Sequence, residues 1–212
     1  MRLPSHIAII PDGNRRWAVN HNLNKADGYD YGLSPGLSVL RLAKKLGISE
    51  ITYYGFTVDN CKRPPEQLKA FSKACVDAIS LIAQEGCSLL VIGNTKSKCF
   101  PKELLPYTKR TDINGGGIKV NFLVNYGWEW DLSGLEQKEK DKKPFSAIHS
   151  RDISRIDLII RWGGMRRLSG LLPVQSVYSD FYIVDEMWPD FKEEQFSQAL
   201  LWYDRQDVTL GG

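Results

Sequence analysis

The chain is poor in metal-binding and cross-linking side chains, with four cysteines and three histidines in 212 residues. Cys61, Cys75, Cys87 and Cys99 are too widely spaced for a C-x-x-C pair, and His6, His21 and His149 do not fall beside them in a zinc pattern. That spacing excludes a zinc module and reads as four reduced thiols in a cytoplasmic protein. No apolar run approaches the ~20 residues of a membrane-spanning helix. Met-Arg-Leu-Pro-Ser-His enters the first apolar run at once, so no signal peptide is expected. Internal repeats and low-complexity segments are also missing. A net charge of +3, from 28 basic and 25 acidic residues, is too mild to indicate nucleic acid as a partner. With 42% hydrophobic and 25% charged residues, the composition is that of a globular protein, and residues 1–212 are expected to form a single domain.

The apolar run Ile7-Ala8-Ile9-Ile10 suits a strand buried on both faces, and Pro11 with Asp12-Gly13-Asn14 ends it in a polar turn. Ser34-Pro35 opens a helix carrying Leu37, Leu40, Ala43 and Leu46, closed by Gly47. A strand over Ile51 to Gly55 follows. Pro64-Pro65-Glu66 then starts a helix with an apolar stripe of Leu68, Phe71, Cys75, Ala78, Ile79 and Ile82. Further strands are expected at Ser88 to Ile92, Lys119 to Val124, Ile156 to Ile160 and Phe181 to Val184. Alternation of strands and helices predicts an α/β fold with a mostly parallel central sheet flanked by helices. Asn114 to Gly117 reads as a turn, and the charged run Lys138 to Lys143 as a solvated loop.

Two clusters carry chemistry. In the first, Asp12 stands at the end of a strand beside Arg15 and Arg16, where an open α/β sheet usually binds ligands. An acid flanked by arginines suits a diphosphate with its metal; an ordinary strand-end turn with solvated arginines would use the same residues. In the second, Arg161, Arg166 and Arg167 surround Gly163-Gly164 and Ser169 at another strand end, a second anionic site where glycine lets backbone approach a ligand. Asp180 interrupts a later apolar run, which is costly for an acid without a partner or a metal.

Four stretches together resemble the cis-prenyltransferase family, the relatives of undecaprenyl diphosphate synthase. They are HIAIIPDGNRRWA from His6, YGFTVDNCKRP from Tyr54, NYGWEWDL from Asn125, and RIDLIIRWGGMRRLSGLLPVQSVYSDFYIVDEMWPDF from Arg155. They occur in the family's order over almost the whole chain. The resemblance implies the cis-prenyltransferase fold and Mg²⁺-dependent transfer of an allylic prenyl diphosphate onto isopentenyl diphosphate. It implies that Asp12 holds magnesium with Asp180 as a second ligand, and that Gly13, Asn14, Arg15, Arg16 and Lys25 bind the allylic diphosphate. Arg161, Arg167 and Ser169 match residues that hold isopentenyl diphosphate, while Thr57, Asn60 and Arg63 match a loop that closes over the site; the resemblance implies that Asn60 and Arg63 are catalytic with Asp12 and that Tyr29 and Thr57 bind substrate. A homodimer through the carboxyl-terminal half is implied, with Trp188, Phe191 and Phe196 as contact or as core. Peripheral membrane contact through a lipid product is implied as well.

Several positions depart from the family pattern. Tyr29 stands where a histidine generally contacts the diphosphate, Cys61 replaces a tryptophan, Met165 a glutamate, and Asp180 is shorter than the usual glutamate. Trp128 and Glu129 replace a glycine and an arginine. The span from Arg63 to Gly93, which bounds the family's chain-accepting tunnel, is about five residues shorter than in long-chain synthases, and Tyr126 to Arg155 lacks a helix. These departures imply a short-chain product. They leave open head-to-middle joining of the lavandulyl type, terpene cyclisation, transfer to another acceptor, or a non-catalytic partner subunit of a heteromeric enzyme.

Overall fold

The computed structural model describes residues 1–137 and 144–207; the charged run at 138–143 lies outside them. Seven strands form one sheet: β1 (His6–Ile10), β2 (Glu50–Thr57), β3 (Cys87–Ile92), β4 (Thr111–Ile113), β5 (Lys119–Tyr126), β6 (Leu158–Arg161) and β7 (Asp180–Ile183). Their spatial order is β4-β3-β5-β2-β1-β6-β7. Every pairing is parallel except the short β3–β4 edge, which is antiparallel. The expected mostly parallel α/β architecture is therefore present. β4 was not expected, because Thr-Asp-Ile carries no apolar run; it pairs with β3 at the edge and packs only Ile113 against the core.

Side chains alternate across the sheet as the pleat requires. Ile7 and Ile9 of β1 point into one core, and Ala8 and Ile10 into the other. The larger core lies under α3 (Leu33–Lys45), α4 (Pro65–Gln84) and α6 (Glu193–Asp204). On α4, Cys75, Ile79 and Ile82 are buried, with Leu68 and Phe71 packed against the same core. Each such aliphatic side chain contributes roughly 1.5–3 kcal/mol. α3 starts one residue before the predicted Ser34 cap. Pro35 sits in its first turn, where a missing N–H costs no helical bond. The opposite core is closed by Ile153, Ile156, Leu171 and Leu172, which come from connecting segments. Trp188 and Phe196 are buried, and Phe191 packs on Trp162 and Trp188, so these aromatics serve the core.

At the amino ends of the central strands lies a closed polar network. His6 Nδ1 faces the Ser154 carbonyl, which only accepts, so that nitrogen carries the proton and Nε2 accepts from the Thr52 hydroxyl at 2.8 Å. Thr52 in turn accepts from Asn121, whose amide also reaches Glu50 at 2.7 Å and whose carbonyl receives Arg110. Burial holds His6 below its ordinary pKa, against the opposing pull of Glu50. The unfolded chain then binds the proton more readily, so His6 adds stability above about pH 6.5 that is lost as pH falls. Denaturant titrations from pH 8 to 5 are expected to show wild-type stability declining, with a flatter profile for His6→Gln. An equal slope in both proteins would refute this assignment.

Candidate active site

The strand order reverses at β1, which has β2 on one side and β6 on the other. A crevice forms at the carboxyl ends of these three strands, as expected at a topological switch point. Ile10 is in register with Arg161, so the segment after β1 emerges beside the last residue of β6. Pro11 ends the strand, Asp12 follows, and Gly13 turns the chain into α1 (Asn14–Asn20). Gly13 has φ +108°, and a Cβ there would lie 2.8 Å from Met187 Cβ, so this turn requires glycine.

Asp12 is clamped from both sides. Arg161 Nη2 donates to its carboxylate at 2.7 Å, and Arg16 Nη2 lies 3.4 Å away. Arg161 is 4% exposed, whereas the Asp12 side chain keeps 32% of its surface open to the cavity. Arg161 also donates to Ser169 Oγ at 3.0 Å and to the Arg167 carbonyl. Arg16 reaches over to the Gly163 carbonyl at 2.9 Å. At Gly163, φ is +85° and a Cβ would sit 2.6 Å from that guanidinium and 3.0 Å from the Asp12 carbonyl, so the two strand ends close on each other only with glycine there. Ser169 adopts φ +53°, a strained backbone for a non-glycine residue. Arg161 holds its hydroxyl, and the Tyr54 hydroxyl donates to its carbonyl at 2.7 Å.

The cavity over Asp12 has a volume of about 780 Å³. Asp12, Gly13, Asn14, Arg15, Arg16, Lys25, Tyr29, Thr57, Asn60, Arg63, Arg161, Arg167 and Ser169 all line it, so the structure brings together every predicted site residue but one. Six basic side chains face two carboxylates, Asp12 and Asp59, making a site for anions. Met165 is also in the wall, whereas Arg166 and Cys61 are not. The Cys61 thiol instead donates to Asn125 at 3.1 Å.

Some of these residues do structural work as well. Asn60 Oδ1 accepts from the Thr57 N–H at 3.0 Å in a reciprocal cap that shapes the turn at Val58–Lys62 after β2. Asn14 donates to the Pro11 carbonyl at 3.0 Å, tying the turn to its own helix. Phe71, from the α4 stripe that could line the tunnel as well as the core, is in the wall; Tyr54 and Met187 are there too and were not foreseen, because in sequence they read as core or loop.

The exception is Asp180. It starts β7 opposite Leu158, three residues before the Arg161–Ile183 pair, which places it roughly 10 Å toward the amino edge at about 3.3 Å per residue. Within one chain, Asp12 and Asp180 do not meet. Among the described residues no group of three or more histidine, cysteine or acidic side chains could enclose a metal ion. The donor set at Asp12 is one accessible carboxylate in an anion-binding cavity. It fits a hard cation such as Mg²⁺ that keeps water and takes its remaining ligands from substrate phosphates.

A mostly parallel sheet with a cleft at its switch point, where six basic side chains face Asp12 and Asp59, defines an α/β enzyme with an anion-binding site. The family model described as undecaprenyl diphosphate synthase matches residues 10–211, and the chain belongs to that family of prenyltransferases. An isoprenyl transferase of Streptococcus pneumoniae is 31% identical, the match covering 100% of this chain and 93% of the relative. A ditrans,polycis-undecaprenyl-diphosphate synthase of Aliivibrio fischeri is 29% identical over 99% of this chain and 89% of its own length. The fold is that of a lavandulyl diphosphate synthase from Lavandula x intermedia, solved with dimethylallyl diphosphate: TM-score 0.85, 22% identity, 99% of each chain covered. No helix among the described residues is long and apolar enough to cross a membrane.

Proposed function

We propose that this prenyltransferase joins an allylic prenyl diphosphate to isopentenyl diphosphate with magnesium and releases a short cis-prenyl diphosphate. The observation that carries the reading is a single cavity with two sets of anion-binding groups on either side of Asp12. Arg15, Arg16, Lys25 and Arg63 neutralise the allylic diphosphate, while Arg161, Arg167 and Ser169 hold the isopentenyl diphosphate. Asp12 holds the magnesium together with substrate oxygens, and the ion supplies charge neutralisation for the departing diphosphate. The allylic C–O bond breaks, a C–C bond forms to isopentenyl diphosphate, and a proton is lost to restore a double bond. The arginines stabilise the negative charge that grows on the leaving group. A homodimer is part of the reading, supported by exposed Val177 and Tyr178 beside the edge strand β7.

A short product is supported by the end wall of the cavity. Tyr29 stacks on Phe71 with ring centres 4.5 Å apart, and Phe71 meets Phe56 edge-on at 5.2 Å. Two turns further along the same face of α4, Ala78, Leu81 and Ile82 line a separate apolar cavity of about 50 Å³. Phe71 and Tyr29 line the first cavity and not the second, whose wall shares only Pro11 with it, and in this reading a growing chain stops at Phe71.

Purified protein supplied with radiolabelled isopentenyl diphosphate and allylic diphosphates of graded length tests both statements. A linear product of one or a few condensations is expected. A branched product would replace regular condensation with head-to-middle joining, and no product from any partner would make the chain a non-catalytic subunit. Phe71→Ala should enlarge the first cavity along α4 and lengthen the main product by at least one five-carbon unit. An unchanged product distribution would remove Phe71 as the stop.

A further inference from the structure

We propose that Tyr29 is a positioning residue for Arg63, holding that guanidinium at the diphosphate site through its hydroxyl and not contacting the diphosphate itself. This rests on the prenyl-diphosphate reading above and departs from the role that family resemblance gives this position. Tyr29 lies on the short helix α2 (Gly28–Tyr31) and is 5% exposed. Gly28 sets its place: a Cβ there would fall 2.1 Å from the Asn14 carbonyl oxygen, so glycine lets α2 seat directly against α1. The Tyr29 ring lies nearly parallel to Phe71, at 10°. Its hydroxyl accepts from Arg63 Nη1 at 2.8 Å, while the Arg63 guanidinium carbon rests 4.9 Å above the Phe71 ring.

Arg63 is thus fixed by a neutral acceptor and a ring face, two contacts that orient a cation without cancelling its charge. No carboxylate forms a salt bridge with it among the described residues. Burial lowers the Arg63 pKa, with Tyr29 opposing and Arg15 adding to the effect; the cation sits in a place where an anion would relieve its desolvation. Burial also raises the Tyr29 pKa, which keeps its hydroxyl protonated and uncharged at neutral pH. A histidine at this position would bring a group that itself gains positive charge near pH 6.5 beside Arg15 and Arg63. Tyrosine gives up that charge and spends its polar atom on the arginine.

A double-mutant cycle separates positioning from direct contact. Tyr29→Phe keeps the stack on Phe71 and removes only the acceptor. It is expected to weaken binding of inorganic diphosphate with Mg²⁺, measured by calorimetry, about tenfold, and to raise the KM of the allylic substrate by a similar factor with kcat changed less than twofold. In an Arg63→Ala background the same substitution should change diphosphate affinity by less than twofold. Thermal midpoints within a degree or two would confirm an intact fold. Equal losses in both backgrounds would mean that Tyr29 touches the ligand itself, and no loss in the wild-type background would mean that it positions nothing. Either outcome overturns the proposal. Wild type that binds diphosphate with this coupling but transfers no prenyl group would leave the positioning role standing and defeat the functional reading alone.

Discussion

Asp12→Ala is expected to lower turnover by at least about a thousandfold while leaving the protein folded. The residue lines the cavity, one-third exposed and held between Arg161 on one carboxylate oxygen and Arg16 on the other. Its carboxylate touches two of the arginines, so its loss removes both the ligand proposed for magnesium and the anion that orients Arg161 and Arg16. Losing one preorganised electrostatic group of this kind typically costs about two to three orders of magnitude in rate, and losing the metal with it adds to that. Structure should survive, because Arg161 keeps the Ser169 hydroxyl and the Arg167 carbonyl as acceptors. Asp12→Asn sharpens the test by keeping an acceptor for Arg161 while weakening cation binding. Similar loss of turnover in both variants, with thermal midpoints near wild type, is the expected result. Residual activity above about a tenth in either would contradict the central role given to the carboxylate.

Arg161→Ala should damage activity and stability together. This side chain is buried and ties three segments: the Asp12 turn, the Arg167 backbone and the strained Ser169. Hydrogen bonds to charged partners are each worth about 1.5–3 kcal/mol, but Asp12 is one-third exposed and regains water when its partner leaves. A net loss of about 2 kcal/mol is therefore expected, which for a protein of this size corresponds to a drop in Tm of roughly 4–8 °C. Turnover should fall by at least about a hundredfold, with the KM for isopentenyl diphosphate raised. Arg161→Lys should recover most of the stability and little of the activity, since an ammonium supplies charge without the planar fork. An unaltered melting midpoint in Arg161→Ala would show that the segment from 167 to 169 is held by other contacts.

The parts of this site that sequence makes legible are those where a charged cluster abruptly ends an apolar run. Asp12 with Arg16, and Arg161 with Arg167 and Ser169, belong to that class, and β1 and β6 bring them side by side. Asp180 misleads for a definite reason. An acid within an apolar stretch signals an expensive residue, but only register tells which end of the strand it occupies, and here it is the wrong end. Tyr54 escapes notice because a tyrosine in a buried strand reads as core, although its hydroxyl braces Ser169. Tyr29 reads as a substitution near the ligand, and its actual partners, Arg63 and Phe71, lie 34 and 42 positions away. Among the elements, α6 left a signal in Phe196, Ala199, Leu200 and Tyr203 at helical spacing, all buried. β4 left none, since a three-residue edge strand is specified by the neighbour it pairs with.

The bonds that assemble the site join the two ends of the chain. Arg161 meets Asp12 across 149 positions of sequence, and the Trp188 N–H donates to the Asp12 carbonyl across a still longer loop. Neither contact can form before β6 is in place beside β1, because Arg161 is set against the carboxylate from the end of that strand. Contacts of such separation carry a larger loop-closure cost than the local helices do. The two proposed sets of anion-binding groups therefore come together only when β1 and β6 pair, so an affinity for diphosphate that needs both sets would report on tertiary folding and not on the helices alone.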